Sequence, residues 1–253
     1  MNEILALTLH SLHQDMAKVD RVAFNLANAQ TTGYKREVLL DVPFARRVEA
    51  AAGQAAGAAT APATTVHVDQ KPGTLKATGQ SLDVALAGPG WFEVMTPEGV
   101  AYTRQGNFRL DAQGRLVTQQ GHPVMGVGGE IQLPHDVPVV DAEGRVFEGA
   151  LPGGVPARPH AEAVAQLKIV RFDAQAPVQR LGDGLVTVAG ETSLIAAGEA
   201  DVRQGFLENS NVSSMHEMVQ LMQSMRHFET MQKVALGYDE MLGTAVRKLG
   251  ETS

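Results

Sequence analysis

The stretch LALTLHSLHQDMAKVDRVAFNL, residues 5–26, decides how this chain begins. Leu5, Leu9, Leu12, Met16, Val19, Ala23 and Leu26 recur at alternating steps of four and three. That is the heptad of a helix with one narrow apolar seam, narrower than the stripe of an ordinary surface helix. Gln14, Asp15, Lys18, Asp20 and Arg21 fall between the seam positions and read as a solvated face. The run ends at Asn28, and Gly33 suits the turn that follows.

The other end of the chain has the same period. Asn209-Ser210-Asn211 precedes it, and Ser214-Met215-His216-Glu217 has the spacing of a capping box. Leu221, Met225, Phe228, Ala235, Leu242, Val246 and Leu249 then share one seam, with Met215, Val219, Met222 and Leu236 as a second stripe beside it. Helices of this length are marginal alone in water, so residues 3–28 are expected to pair with residues 214–249. The second stripe is left over and is expected to meet other copies of the chain, a contact that propagates if it joins unlike patches. Methionine suits such a surface because its thioether adapts to different neighbours, and Met215, Met218, Met222, Met225, Met231 and Met241 concentrate here. The expected assembly interface is Leu5, Leu9, Leu12, Met16, Val19 and Leu26 with Met215, Met218, Val219, Leu221, Met222, Met225, Phe228 and Leu242. The plainer alternative is a two-helix core packed on the rest of the chain.

Between the helices the pattern changes. Residues 49–63 carry only small or short side chains apart from Glu49 and Gln54 and read as a mobile linker. From Thr64 to Ala200 the alternation is that of strands. Val66-His67-Val68 is short and alternating, and Pro72-Gly73 reads as a turn. Gly88-Pro89-Gly90 reads as a bend before the strand Trp91–Met95, which Pro97-Glu98-Gly99 turns back into Ala101–Arg104. Leu167–Phe172 is another strand, and Gly182-Asp183-Gly184 punctuates the next pair. Asp111-Ala112-Gln113-Gly114-Arg115 recurs as Asp141-Ala142-Glu143-Gly144-Arg145. An Asp side chain closing a turn with a positive-φ Gly explains both copies, whereas a calcium loop needs ligands that neither has. The expected fold is α+β: N- and C-terminal helices paired as an antiparallel-type coiled coil, with a central antiparallel β-rich domain of hairpins. Its parts are residues 1–30 and 206–253 as the helical ends, 31–70 as an extended linking region and 71–205 as the β-rich domain.

Composition excludes several functions. Among 253 residues, 28 are Asp or Glu against 21 Lys or Arg, so no broad positive field exists for nucleic acid. The absence of cysteine excludes disulfides, thiolate metal sites and a cysteine nucleophile. The N-terminal residues lack the basic start and apolar run of a cleaved signal peptide, and no run approaches a membrane span. His10 and His13 with Asp15 do not make a metal motif, and no nucleophile elbow or phosphate loop occurs. No catalytic residue, metal or cofactor is expected. A secreted β-rich glycan-binding module or hydrolase, using Trp91 or Tyr102 beside carboxylates such as Glu93, Glu98 and Asp111, is the alternative from another class.

Three segments carry a resemblance. Asn25-Leu26-Ala27-Asn28-Ala29-Gln30-Thr31-Thr32-Gly33-Tyr34-Lys35 resembles the signature at the end of the N-terminal helix in the flagellar rod and hook family. Arg104-Gln105-Gly106-Asn107-Phe108, continuing to Gly126, resembles its central hairpins, and Glu208-Asn209-Ser210-Asn211-Val212 resembles the start of its C-terminal helix. Arg226-His227-Phe228-Glu229 and the modest length look most like the proximal rod member rather than the distal one. The resemblance implies a structural subunit of the periplasmic rod that transmits torque from motor to hook. It also implies export by the flagellar type III apparatus without signal cleavage. The partners it implies are copies of itself and other rod proteins, with no nucleic acid, membrane insertion or cofactor.

Overall fold

Trp91-Phe92-Glu93-Val94 is buried along its whole length, on both faces of the sheet it helps to form. In the computed structural model of this chain, residues 2–40, 65–133, 138–147, 163–173, 176–196 and 198–250 are described, and the small-residue stretch 49–63 lies outside them. The chain divides into two compact units, Asn28–Val212 and the two terminal segments Met1–Ala27 with Ser213–Ser253.

The first unit is built on a six-stranded antiparallel sheet. In spatial order its strands are Val178–Gly182, Leu185–Val188, Gly99–Thr103, Trp91–Thr96, Ile169–Phe172 and Thr192–Leu194. Side chains alternate across a strand, and here the alternation feeds two cores. Phe92, Val94, Ala101, Ile169 and Leu185 enter one, with Phe108, Val124, Ile131 and Val146. Trp91, Tyr102, Val170, Val186 and Phe172 enter the other. Trp91 stacks on Phe172 at 5.3 Å between ring centroids, and Phe92 meets Phe108 edge-on at the same distance. Pro97 and Glu98 form the two-residue connection expected between Trp91–Thr96 and Gly99–Thr103, since Thr96 pairs with Gly99. The Gly182–Gly184 turn has positive φ at all three residues, 103°, 49° and 75°.

The repeated Asp-x-x-Gly-Arg segments fold alike. Asp111 Oδ1 accepts from the amides of Gln113 and Arg115, and Asp111 Oδ2 accepts from Arg115 Nε at 2.8 Å. Asp141 does the same with Glu143 and Arg145. Gly114 and Gly144 take φ of 76° and 80°. Desolvation pushes the Asp111 carboxyl up, but the hydrogen bonds from Arg115 and Gln113 and the Arg115 charge outweigh it and hold its pKa below the ordinary 3.8. A depressed carboxylate stabilises the turn above its unfolded-state pKa, and that stability is lost as the pH falls through the folded value. Amide exchange at Arg115 is therefore expected to accelerate below pH 3.8 more than at a hairpin with no carboxylate in its turn, such as Gly126–Gly129. Equal acceleration at both sites would count against the side-chain contribution.

Returning strands Val202–Gln204 and Phe206–Glu208 run antiparallel beside Val84–Leu86 and Leu75–Ala77. Glu37–Leu40 pairs with Thr65–Val68. The Pro72-Gly73 step is a correction: it is not a turn but a place of close approach. A Cβ at Gly73 would lie 2.0 Å from the carbonyl oxygen of Asn209.

The second unit consists of α1, Asn2–Ala27, and α2, Ser214–Gly250. Among the described residues no helix is long and apolar enough to cross a membrane.

Candidate assembly interface

Side-chain hydrogen bonds tie α1 to α2 at two levels among the described residues. His227 Nδ1 donates to Asp15 Oδ2 at 2.6 Å, and Asn25 Nδ2 donates to Glu217 Oε2 at 3.3 Å. The pairs are ten residues apart on both helices and run in opposite directions, so the helices lie antiparallel. Glu217, read from the sequence as half of a capping box, is fully buried and turned toward α1.

Among the described side chains of α1 the buried ones are Thr8, Asp15, Val22 and Asn25. Leu9 and Met16, expected on the seam, are instead 50% and 53% exposed, and Ala23 is exposed too. Leu12, Val19 and Leu26 are half-buried. One residue is a step of about 100° around a helix, so α1 is rolled by roughly that angle from the expected pairing. Asp15 and Asn25 make directional bonds on the buried side, which apolar periodicity alone does not register. On α2, Leu221, Phe228, Met231 and Ala235 are half-buried on the inner side. Met215, Met218, Val219, Met222 and Met225 are exposed, Met215 at 80% and Met225 at 51%. Leu5 and Leu242 belong to the helices, but their side chains lie outside those described.

The apolar flanks of the two helices meet on one side of the pair. Met16, Val19, Met225 and Phe228, with Asp20, Glu229 and Gln232, line an open cleft of about 380 Å³. Of the apolar positions picked out by heptad spacing, Met16, Val19, Met225 and Phe228 share this cleft.

Asn25, Leu26 and Ala27 of the first signature segment end α1, and the other signature residues lie within the β-rich unit. Lys35, from the first motif, and Arg104, from the second, both meet Glu208, from the third. Lys35 Nζ lies 2.5 Å from Glu208 Oε1 and Arg104 Nη1 lies 3.1 Å from Glu208 Oε2, with all three side chains at most 2% exposed. Glu208 Oε1 also accepts from the Gly73 amide at 2.7 Å, and Lys35 Nζ donates to the Lys71 carbonyl. Arg104 donates to the carbonyls of Leu86 and Gly88 and lies 5.7 Å from the Trp91 ring centroid. Burial, and next the Arg104 charge, holds the Lys35 pKa below the ordinary lysine value against the pull of Glu208. The chain leaving α1 and the chain approaching α2 are joined here directly: Gly33 N–H donates to the Glu208 carbonyl at 2.7 Å, and Asn211 N–H to that of Tyr34 at 3.3 Å. Asn211 Oδ1 accepts from the Arg36 amide, and its Nδ2 donates to the carbonyls of Asp69 and Lys71. Asn209 bonds to Thr74 through both backbone and side chain. Ser210 Oγ accepts from the Val212 amide. Thr31 Oγ1 bonds to the Asn28 side chain at the turn after α1. Gly106 packs against the Val84 backbone, Asn107 bridges to Asp83, and Phe108 enters the core.

The groups that suggested other chemistry serve the fold instead. Trp91 and Tyr102 are buried in the aromatic core and offer no platform for a sugar. Glu93 is paired with Lys168 at 2.7 Å, and Asp111 is held by its own turn. His216 lies 3.1 Å from the Gln220 side chain, and among the described residues no group of three possible ligands could hold a metal. Sequence reasoning did not give Asp15, His227, Arg104 or Glu208 their roles. The two latter residues open the quoted motifs, but only their meeting in space shows why.

Residues 85–147 match a family model described as Flagellar hook protein FlgE/F/G D1 domain, and residues 203–248 match one described as Flagellar basal body rod FlgEFG protein C-terminal. The chain is 32% identical to the flagellar basal-body rod protein FlgF of Salmonella typhimurium and 34% identical to FlgF of Escherichia coli, in each case over 97% of both chains. It is 30% identical to the flagellar basal-body rod protein FlgG of Bacillus subtilis, over 89% of this chain and 90% of that one. The chain belongs to the FlgE/F/G family of flagellar rod and hook proteins, as a structural subunit and not an enzyme.

Proposed function

We propose that this protein is a FlgF-type proximal subunit of the basal-body rod that polymerises through the apolar flank of its helix pair. The observation that carries the reading is the exposed cleft in which Met16 and Val19 of α1 meet Met225 and Phe228 of α2. In the assembled rod the helices of neighbouring copies and of other rod proteins cover that flank, and the helical segments 1–27 and 213–253 form the coiled-coil core. So assembled, the subunit transmits torque from motor to hook. It reaches the periplasm through the flagellar type III export apparatus, without a cleaved signal peptide. FlgF rather than FlgG is favoured by the Arg226-His227-Phe228-Glu229 segment and by the 32% and 34% identity to two FlgF proteins, against 30% to the Bacillus subtilis FlgG.

Met225→Asp tests the reading. Met225 is half exposed in the free chain, so the substitution is expected to change stability by no more than about 0.5 kcal/mol. Once a neighbour covers the site, the same carboxylate is a buried unpaired charge, and rod assembly and swarming are expected to fail. Normal motility in this variant would rule out the cleft as the assembly face. Expression in strains lacking FlgF or FlgG separates the two members, with rescue expected only in the first.

A further inference from the structure

We propose that the polar seam of α1 is a roll lock: Asp15 and Asn25, held by His227 and Glu217, fix α1 with its apolar flank turned outward. Thr8, Asp15 and Val22 are buried, while Leu9, Met16 and Ala23, one residue further on, are exposed. Rolling α1 by that one step would set Leu9, Met16 and Ala23 against the inner row of α2, Leu221, Phe228 and Ala235. Apolar burial is non-directional and favours such a roll. Hydrogen bonds are directional and do not survive it. The Asp15 side chain is 7% exposed with His227 at 2.6 Å, and Glu217 is fully buried with Asn25 at 3.3 Å. Pins at two levels fix both rotation and slide, as a polar residue in a coiled-coil seam specifies register at some cost in stability. The helix pair therefore keeps apolar surface available that its own collapse would consume. The proposal deepens the assembly reading, which needs an outward flank, yet its test is read on the unassembled chain and stands apart from it.

The full chain carrying Asp15→Ala, Asn25→Ala, Glu217→Ala and His227→Ala is compared with wild type. Removing both members of each pair strands no buried charge, and alanine keeps helix propensity. Both proteins are treated with hydrogen peroxide at a dilution where sedimentation shows monomers, and methionine oxidation is read by peptide mass spectrometry. Met215, at 80% exposure, serves as internal reference, and Trp91 fluorescence reports that the β-rich unit is folded. The expected result is a several-fold fall in the Met16-to-Met215 oxidation ratio with helix content unchanged, because Met16 turns inward. An unchanged ratio would overturn the proposal. So would a higher ratio with lost helicity, which would mean that the seam merely holds the helices together. His227→Asn keeps an N–H donor at the position of Nδ1 toward Asp15 and is expected to leave the ratio at the wild-type value. A fall there as large as in the fourfold variant would also overturn it.

Discussion

Glu208→Ala is expected to lower the stability of the β-rich unit by about 3–5 kcal/mol, the usual cost of removing one partner from a buried ion pair. Two cations share this carboxylate, and neither is more than 2% exposed. Without it, Lys35 and Arg104 face each other across a dry site, and the Gly73 amide loses its acceptor. Lys35→Met is expected to cost much less. It leaves the Arg104–Glu208 pair intact and removes an ammonium whose charged form is already disfavoured, first by burial and then by Arg104. The loss of the Lys35 bond to the Lys71 carbonyl remains as the smaller penalty. Trp91, the single tryptophan, is buried 5.7 Å from the Arg104 guanidinium and reports urea unfolding of this unit. In a Lys35→Met, Arg104→Met background the Glu208→Ala step should shrink, since the stranded charges are gone. Equal effects of Glu208→Ala in both backgrounds would show that the carboxylate acts alone.

Much of the β-rich unit was legible because its signals are local. Period-two alternation places Trp91 and Phe92 on opposite faces, and the structure gives each its own core. The two Asp-x-x-Gly-Arg turns were readable for the same reason: donor and acceptor lie within four residues. Long-range pairings were not readable. Lys35 and Glu208 are 173 positions apart, and Asp15 and His227 are 212 apart. Heptad spacing reported correctly which residues of α1 are apolar. It did not report which side α2 occupies, because a rule that sends polar residues to solvent has no place for a carboxylate held by a distant imidazole.

Gly106→Ala is expected to reach or exceed the upper end of the about 1–3 kcal/mol that overpacking costs. A Cβ at this position would sit 1.6 Å from the carbonyl oxygen of Val84 and 2.7 Å from its carbonyl carbon. Both are backbone atoms of a buried strand, so no side chain is free to swing away. Val84 pairs with Gln204 on its other side, and the Val84 amide donates to the Gly106 carbonyl at 2.9 Å. The strand would have to shift as a whole, taking with it the Leu86 carbonyl that accepts from Arg104. Loss of fit at Gly106 therefore reaches the Glu208 cluster two residues away along the chain. Gly237→Ala is the matched control: nothing lies within 4 Å of its added methyl, and it is helical. That change is expected to stabilise α2 by about 0.8–1 kcal/mol. Thermal unfolding followed by Trp91 fluorescence and by helix content separates the two units. A Gly106→Ala protein that melts like wild type would mean that the strands part easily, and the close packing of the three signature segments would then not be what holds this unit together.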